Sequence, residues 1–446
     1  MSVNVQVPFD RRSRDPELEA RYREQAPKPV AKGKFRSLGL GIITGAADDD
    51  PSAIGTYASA GAALGPSFLW TAPLTFPMMI AVVYLSSKLG QVAGEGLTAV
   101  IRRHYPRWLL WLVVAGAVIG NICEAGADIG GISAATNLLV PIPIVWLVVP
   151  ATIIILSLQI FGTYELTRKV FRWLALALLA YIGSAVLAKP ELWPVLRGTF
   201  LPTIHFNKDF LTTFVAVMGT TLSPYLYIWE ADQQVSEDFS LGRRRLTDRM
   251  GTTTEELKHT LLDTSVGMLF SNVVMYFIIL CTASTLFRVG HHDVDTAAEA
   301  AQALRPLAGN AAGLLFAIGV IGVGFLAVPV MTTGIGYVVC QAMGWKHGLQ
   351  YSFVEAPHFY VVIIVAHVAA MLLNFVGLNP IRALVWAGVV QGLLSPPLML
   401  LTMLITTNPA IMGRWVNRGL TNALGWATTG VTFAAAFGVV YAWIHG

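Results

Sequence analysis

The chain has 446 residues, of which 55% are apolar and only 13% are charged, and its formal net charge is +4 at pH 7. Soluble domains carry about 25% charged residues, so the composition excludes an ordinary soluble domain and indicates a polytopic membrane protein. The small positive charge does not indicate nucleic-acid binding, because the basic residues concentrate between the apolar runs.

Residues 1–37 are polar and charged, which does not fit a secretory signal peptide and predicts a cytoplasmic tail. Eleven apolar runs follow, each near the length needed to span a bilayer. They lie at 38–64, 68–94, 108–139, 144–161, 167–188, 209–233, 258–287, 309–343, 357–378, 381–406 and 420–444. We therefore predict an all-α polytopic membrane protein with about eleven transmembrane helices.

The Lys and Arg residues divide unevenly between the two sides of the predicted bundle. Most of them fall in the tail and in the loops on the same side as the tail. Cytoplasmic loops are enriched in Lys and Arg, so the N-terminus is predicted to be cytoplasmic. The location predicted is a bacterial-type plasma membrane.

Three consecutive aspartates, Asp48, Asp49 and Asp50, interrupt the first apolar run. An ionised carboxylate at the bilayer centre costs about 2.5–3.5 kcal/mol on insertion scales. These acids must therefore face a polar cavity, be protonated or bind a cation. Pro51 follows at once and removes a helix donor, and an acid beside a helix break is typical of an ion site in a transporter. A helix cap outside the membrane is the alternative, and the flanking apolar sequence argues against it.

The sixth apolar run is interrupted at Ser223-Pro224. Broken runs five apart indicate two repeats of opposite topology, over 38–188 and 209–406. The transporter core is thus predicted at 38–406, with an additional C-terminal transmembrane helix at 407–446. Thr220, Ser223 and Tyr225 supply oxygen donors, which suit Mg²⁺ or Mn²⁺. Alternatively, a hydroxyl here bonds back to a carbonyl one helical turn earlier.

Further acids lie on the third and sixth runs. Glu124 and Asp128 share one helix face and indicate either a path for cations or protons or a pairing with cytoplasmic arginines. Glu230 and Asp232 end the sixth run near Arg243–Arg245, where a gating salt bridge and proton release are equally favoured.

Gln391, in the tenth run, either completes the cation site or joins two helices by a hydrogen bond. The spans carry several acids and no Lys or Arg near the two breaks. This balance predicts a cationic cargo, and a divalent one.

At these residues the chain resembles the Nramp family of divalent metal transporters. Asp50-Pro51-Ser52-Ala53 is similar to the family's DPGN motif, and the stretch 219–225 is similar to its GAxxMPH motif. Asp128, followed by Asn137-Leu138-Leu139, resembles the acid and the NLL of the family's third span. The resemblance implies the five-plus-five fold of amino-acid transporters with broken helices 1 and 6, and alternating access. It implies a transporter rather than an enzyme, with a divalent metal ion as substrate and no resident cofactor.

The resemblance also implies a ligand set. Asp50 corresponds to the family's metal ligand, and Thr220 corresponds to a residue that binds the metal through its backbone carbonyl. Ser223 and Tyr225 correspond to family ligands only by their position in the motif. Gln391 lies near the polar ligand of the family's tenth span. We expect Asp49 to assist Asp50. Asp48 and Asp49 either attract the ion through an aqueous entrance or tune the charge of the empty site.

Four positions depart from the family pattern. Ala53 replaces the DPGN asparagine, Ser223 the metal-binding methionine, Tyr225 the first histidine and Glu230 the second. Without the methionine thioether, the chain resembles the Nramp-related magnesium transporters, which transport Mg²⁺ and Mn²⁺. Losing both histidines leaves Asp128 as a route for protons.

Two other functions fit parts of the sequence less well. A sodium-coupled carrier of organic solutes has the same fold, but three adjacent acids would repel a substrate carboxylate. A membrane-embedded aspartyl protease using Asp50 and Asp128 lacks the Gly-Xaa-Gly-Asp and Tyr-Asp motifs. The leading hypothesis is therefore a secondary transporter of Mn²⁺ or Mg²⁺ in the lipid bilayer.

Overall fold

The computed structural model describes residues 40–161, 176–243 and 245–445. The predicted tail, at 1–37, and the first part of the predicted fifth run, at 167–175, lie outside these residues. The described part consists of helices and their connections and contains no β-strand, which confirms the all-α prediction.

We label thirteen helices of the bundle α1 to α13 in chain order. They are α1 (Leu40–Asp48), α2 (Pro51–Leu64), α3 (Thr71–Ala93), α4 (Arg107–Asn137), α5 (Ile144–Phe161), α6 (Ala180–Leu187), α7 (Lys208–Thr221), α8 (Pro224–Ser240), α9 (Thr254–Thr285), α10 (Ala312–Met343), α11 (Pro357–Leu373), α12 (Pro380–Thr406) and α13 (Gly419–His445). Short helices connect them at Leu97–His104, Leu192–Phe200, Leu246–Arg249, Ala297–Gln302, Arg305–Ala308 and Pro409–Met412. Single 3₁₀ turns lie at Gly65–Phe68, Leu176–Leu179, Phe287–Val289, Gly309–Ala311 and Gly413–Trp415.

Eight helical stretches in the described part are long and apolar enough to cross a membrane. They coincide with the second, third, fourth, sixth, seventh, eighth, tenth and eleventh predicted runs. The ninth run is the shorter apolar helix α11, the first is divided between α1 and α2, and the fifth is described only in part. A multi-pass bundle is thereby confirmed, whereas the count of eleven stays a prediction.

Both predicted helix breaks are present. α1 ends at Asp48 and α2 begins at Pro51, while α7 ends at Thr221 and α8 begins at Pro224. Each proline takes the first position of the second half-helix, where its missing N–H removes no intrahelical bond. Each of these two runs therefore resumes as a helix at a proline.

Backbone-to-backbone packing positions the broken helices. Gly45 of α1 faces the carbonyl oxygen of Gly267, and Gly61 of α2 faces that of Ile279, so closely that a Cβ at either glycine would overlap it. Both halves of the first broken helix therefore lie directly on α9. Small residues permit this close approach between helices in membranes, and the approach fixes the gap between α1 and α2.

The outer face of the bundle is apolar. Trp146 and Phe161 of α5 are 74% and 83% exposed, and most of that helix faces outward. Apolar side chains on the outside with buried polar groups inside are expected when the surrounding solvent is lipid.

Candidate metal site

Asp50 lies in the gap between α1 and α2 and is fully buried. It is the N-cap of α2, with φ −67° and ψ 173°. Its Oδ1 accepts hydrogen bonds from the Ala53 backbone N–H and the Ser52 hydroxyl, both at 2.7 Å. The cap thus occupies one carboxylate oxygen and leaves Oδ2 for other partners.

Ser223 occupies the equivalent N-cap position of α8, but its side chain does not cap the helix. The hydroxyl instead turns back to the carbonyl oxygens of Gly219, at 2.7 Å, and Thr220, at 3.1 Å. The bond to Gly219 is the back-bond to residue i−4 considered as an alternative from the sequence. The Thr220 carbonyl predicted as a metal ligand therefore faces the Ser223 hydroxyl within the second break.

Tyr225 connects the two breaks. Its hydroxyl lies 2.9 Å from the carbonyl oxygen of Ala47 and 3.3 Å from Asp50 Oδ2. The Ala47 carbonyl belongs to the last turn of α1, where carbonyls lack intrahelical partners. Asp50 Oδ2, the Ala47 carbonyl and the Tyr225 hydroxyl thus form a group of oxygen atoms at the gap.

Glu124 of α4 contacts residues of α2 and α12 and the residue that precedes α8. Its Oε1 lies 3.3 Å from Ser52 Oγ and 3.4 Å from Ser223 Oγ, and its Oε2 accepts a hydrogen bond from the Gln391 side-chain amide on α12. Asp128, one turn further along α4, accepts a 2.9 Å bond from the Ser52 backbone N–H. Gln391 thus joins two helices, as one of its two predicted interpretations required. Neither acid of α4 pairs with an arginine in the described part of the chain.

These buried acids have no cationic partner among the residues that the structure describes. Among the described residues, no ion pair involves Asp48, Asp49, Asp50, Glu124 or Asp128. Asp128 Oδ2 and the Gln391 carbonyl oxygen are buried with no hydrogen-bond partner in that same part of the chain. Buried carboxylates are costly unless they are paired, protonated or bound to a metal, so the arrangement suits a positively charged ligand.

No three side chains of His, Cys, Asp or Glu converge on a metal site within the described residues. A cation between the breaks would therefore rely on neutral oxygens beside the Asp50 carboxylate. Hydroxyl, amide and carbonyl oxygens are donors that hard divalent cations accept, and waters commonly complete their coordination.

Asp49 does not join this network. Its Oδ1 lies 3.1 Å from the Ser271 hydroxyl of α9, and Asp48 Oδ2 lies 2.7 Å from the same hydroxyl. Both side chains are fully buried. The predicted role of Asp49 beside Asp50 stays a prediction, and the two preceding acids face α9 rather than the second break.

Glu230 and Asp232 were predicted to end the sixth run, but α8 continues to Ser240 and both residues lie in its middle. Both have neutral partners. Glu230 accepts hydrogen bonds from Thr44 of α1 at 2.9 Å and Ser87 of α3 at 2.8 Å. Asp232 accepts one from the Gln341 amide of α10. Arg243 pairs with Asp238 and Glu256 instead, and Arg244 lies outside the described residues, so the described contacts do not include the salt bridge considered from the sequence.

We expect Glu230→Ala to destabilise the packing of α1 and α3 against α8. The substitution leaves the buried hydroxyls of Thr44 and Ser87 without their acceptor, which costs about 1–3 kcal/mol for an unsatisfied group. Thermal unfolding of the purified protein in detergent should show a lower midpoint than for Glu255→Ala, which removes an exposed acid. Equal midpoints for the two variants would contradict this role of Glu230.

Several residues of the site were not predicted from the sequence, among them Ser52, Thr44 and Ser271. A contact between Ser52 and Asp50 could have been predicted, because an N-cap aspartate commonly accepts hydrogen bonds from groups two and three residues further on. Thr44 and Ser271 are single polar residues in apolar helices, and their partners lie 186 and about 220 residues away in the sequence. Their roles emerge only from the packing of distant helices.

The model of the family described as "Natural resistance-associated macrophage protein-like", Nramp, matches residues 41–442. The chain belongs to the Nramp family. This confirms the family resemblance that the sequence motifs at the two helix breaks indicated. Members of the Nramp family are transporters rather than enzymes, which excludes the protease considered from the sequence.

Relatives and solved structures agree with this assignment. The divalent metal cation transporter MntH of Klebsiella pneumoniae is 25% identical over 92% of this chain and 95% of its own length. A crystal structure of the manganese transporter of Eremococcus coleocola, in complex with an aromatic bis-isothiourea compound, has a TM-score of 0.71 at 15% identity and covers 93% of this chain and 89% of its own. MhsT in complex with L-phenylalanine has a TM-score of 0.57 at 11% identity over 91% of this chain and 98% of its own. The likeness to these structures shows that this Nramp chain shares their transporter fold.

Proposed function

We propose that this Nramp chain is a secondary transporter that carries divalent metal cations by alternating access, with the ion bound between the two helix breaks. The observation that carries the proposal is the position of Asp50. It is a buried carboxylate in the first break, and its Oδ2 faces Tyr225 of the second break. The names of the relatives, a divalent metal cation transporter and a manganese transporter, support this choice of cargo.

The donor atoms favour hard cations. Asp50, Tyr225, Ser223, Gln391 and the carbonyls at the helix ends offer oxygen, and none of these groups contains sulfur. Oxygen ligands suit Mg²⁺ and Mn²⁺, whereas thioether or thiolate ligands select softer metals. We therefore propose Mn²⁺ and Mg²⁺ as the transported ions.

The remaining acids mark a route for ions or protons. Glu124 and Asp128 adjoin the gap through Ser52, and Glu230 and Asp232 lie further along α8. We propose the first pair as the route past the site and the second pair as part of the cytoplasmic closure. From the Lys and Arg asymmetry of the loops, we also propose that the 1–37 tail is cytoplasmic. We propose that the transporter core at 38–406 lies in a bacterial-type plasma membrane and that 407–446 forms an additional transmembrane helix.

The direct test is uptake by proteoliposomes that contain the full chain. Mn²⁺ entry is followed with an internal metal-sensitive dye, Mg²⁺ is added outside as a competitor, and an internal pH dye runs in parallel. The proposal predicts saturable Mn²⁺ entry that Mg²⁺ inhibits. Entry no faster than into protein-free liposomes would refute it, and the pH dye reports separately whether protons accompany the metal.

We expect Ser223→Met to increase discrimination against Mg²⁺. The substitution places a soft thioether at the second break, which favours Mn²⁺ over Mg²⁺. The Mg²⁺ concentration that halves Mn²⁺ uptake should rise by roughly tenfold, a difference of about 1.4 kcal/mol.

Ser223→Leu is the matched control for this variant, because leucine and methionine have similar volumes but leucine has no sulfur. A leucine variant that discriminates as well as the methionine variant would show that side-chain size, and not the sulfur, sets selectivity.

A further inference from the structure

We propose that the connection between α6 and α7 is a membrane-interface anchor, in which one face of the short helix Leu192–Phe200 is immersed in the lipid at the bilayer surface. This inference goes beyond the proposed function, because it concerns a different surface of the molecule and holds for any cargo.

The helix Leu192–Phe200 has two different faces. Successive residues of an α-helix are rotated by about 100°, so positions 194, 195, 198 and 199 lie on one side and positions 192, 193, 196, 197 and 200 on the other. The residues of the first side are buried or partly buried against the protein. The second side is open, and its apolar residues are between 50% and 75% exposed: Leu192, Trp193, Leu196 and Phe200.

Gly198 attaches the inner face of this helix to the end of α2. A Cβ at this glycine would overlap the carbonyl oxygen of Pro66, which belongs to the 3₁₀ turn directly after α2. One residue further on, the Thr199 hydroxyl lies 2.9 Å from the Tyr276 hydroxyl of α9. Because the two backbones are in direct contact at Gly198, the depth at which lipid holds the helix also sets the position of the end of α2.

The length and charge of the connection place it at the bilayer surface. It runs from the end of α6 at Leu187 to the start of α7 at Lys208, and its helix has nine residues, too few to cross a bilayer. It also contains Lys189, Glu191 and Arg197, and charged side chains are costly in the hydrocarbon core. A helix with an apolar face, a tryptophan and a basic residue is typical of a segment that lies in the interface plane.

Lipid fits the open face better than a second copy of the chain does. Apolar side chains that are more than half exposed continue before the helix and after it, at Val186, Leu187, Leu201, Ile204 and Phe206. Lipid covers such an extended surface without the shape complementarity that a protein partner needs. Arg197 is exposed on the open side of the helix, and a guanidinium suits the phosphate of a lipid headgroup.

Spin-label accessibility in vesicles tests the anchor. Leu196→Cys of the full chain is labelled with a nitroxide and reconstituted in vesicles of phosphatidylcholine and phosphatidylglycerol. The background is Cys123→Ala, because Cys281 and Cys340 are buried whereas Cys123 is partly exposed, and the labelled background protein is the blank. Power-saturation spectroscopy then compares collisions of the nitroxide with oxygen, which concentrates among acyl chains, and with a water-soluble nickel chelate.

We expect the label at position 196 to lie about 5–10 Å into the boundary between headgroups and acyl chains. Its ratio of oxygen to nickel collisions should exceed that at Glu255→Cys and fall below that at Val365→Cys. Glu255 is exposed in the first turn of α9, and Val365 is 61% exposed in the middle of the apolar helix α11. Leu192→Cys, on the same open face, gives the measurement if the Leu196→Cys protein does not elute like the wild type.

A label that meets the nickel chelate as often as the label at Glu255→Cys would place the face in water and overturn the anchor. A label shielded from both reagents, and more so at a higher protein content of the vesicles, would show that a second copy covers the face and would also overturn it. Both results leave Mn²⁺ uptake unaddressed, so a failure of the anchor is distinct from a failure of the proposed function.

Discussion

Replacing Asp50 by asparagine should reduce Mn²⁺ uptake by roughly a hundredfold or more. Removing one charged partner from a buried pair costs about 3–5 kcal/mol, which exceeds two powers of ten in affinity. Asparagine keeps an oxygen that can accept the Ala53 N–H, so the cap of α2 survives while the charge is lost. Uptake at sub-saturating Mn²⁺ in proteoliposomes, at equal protein content, is the measurement.

Two companion variants separate charge from structure. Asp50→Ala removes the charge and also the cap, and capping is typically worth about 1 kcal/mol, so it should be less stable than the asparagine variant and equally inactive. Asp209→Asn changes an exposed acid at the start of α7 and should transport like the wild type. An asparagine variant at position 50 that transports normally would show that the ion is bound elsewhere.

The second large effect is expected at Gly219, where α7 meets α12. A Cβ at this position would overlap the carbonyl oxygen of Gly388 and the backbone nitrogen of Gly392. Backbone atoms cannot rotate away as a side chain can, so Gly219→Val must separate the two helices, at a cost of about 1–3 kcal/mol or more. The Gly219 carbonyl also accepts the Ser223 hydroxyl, so the separation moves the second break. We expect most of the variant to elute as aggregate in size-exclusion chromatography, and the remainder to be inactive.

Gly430→Val is the matched control, because a Cβ at that position of α13 has no heavy atom within 4 Å. Valine has the same intrinsic helix propensity at both sites, so a difference between the variants reports packing. A Gly219→Val protein that elutes and transports like Gly430→Val would contradict the described contact between α7 and α12.

The helix breaks could be predicted from the sequence because proline acts locally. Pro51 and Pro224 lack the N–H that a continuous helix needs. Proline alone is not sufficient, because Pro77, Pro150 and Pro329 lie inside continuous helices, so the polar residues that precede Pro51 and Pro224 were also needed to locate the gaps. The long apolar runs were predictable for a similar reason, since length and hydropathy alone identify a membrane span. The convergence of Asp50, Ser223 and Tyr225 was expected from the two breaks and from the family resemblance.

The sequence does not predict which of the three adjacent aspartates faces the gap between the half-helices. Asp48, Asp49 and Asp50 are adjacent in sequence, yet the first two face Ser271 of α9 and the third faces the gap. The directions in which side chains point at the end of a helix depend on the local backbone and on the neighbouring helix. That neighbour lies about 220 residues away in the chain, and no short sequence pattern encodes it.

We propose that one divalent cation binds between the two breaks, beside Asp50 and opposite Ser223 and Tyr225. Anomalous diffraction from crystals of the full chain grown with Mn²⁺ locates the ion directly. The account predicts an anomalous peak in contact with Asp50 Oδ2, which disappears in Asp50→Asn crystals. A peak beside Asp48, Asp49 and Ser271, with none at Asp50, would contradict it.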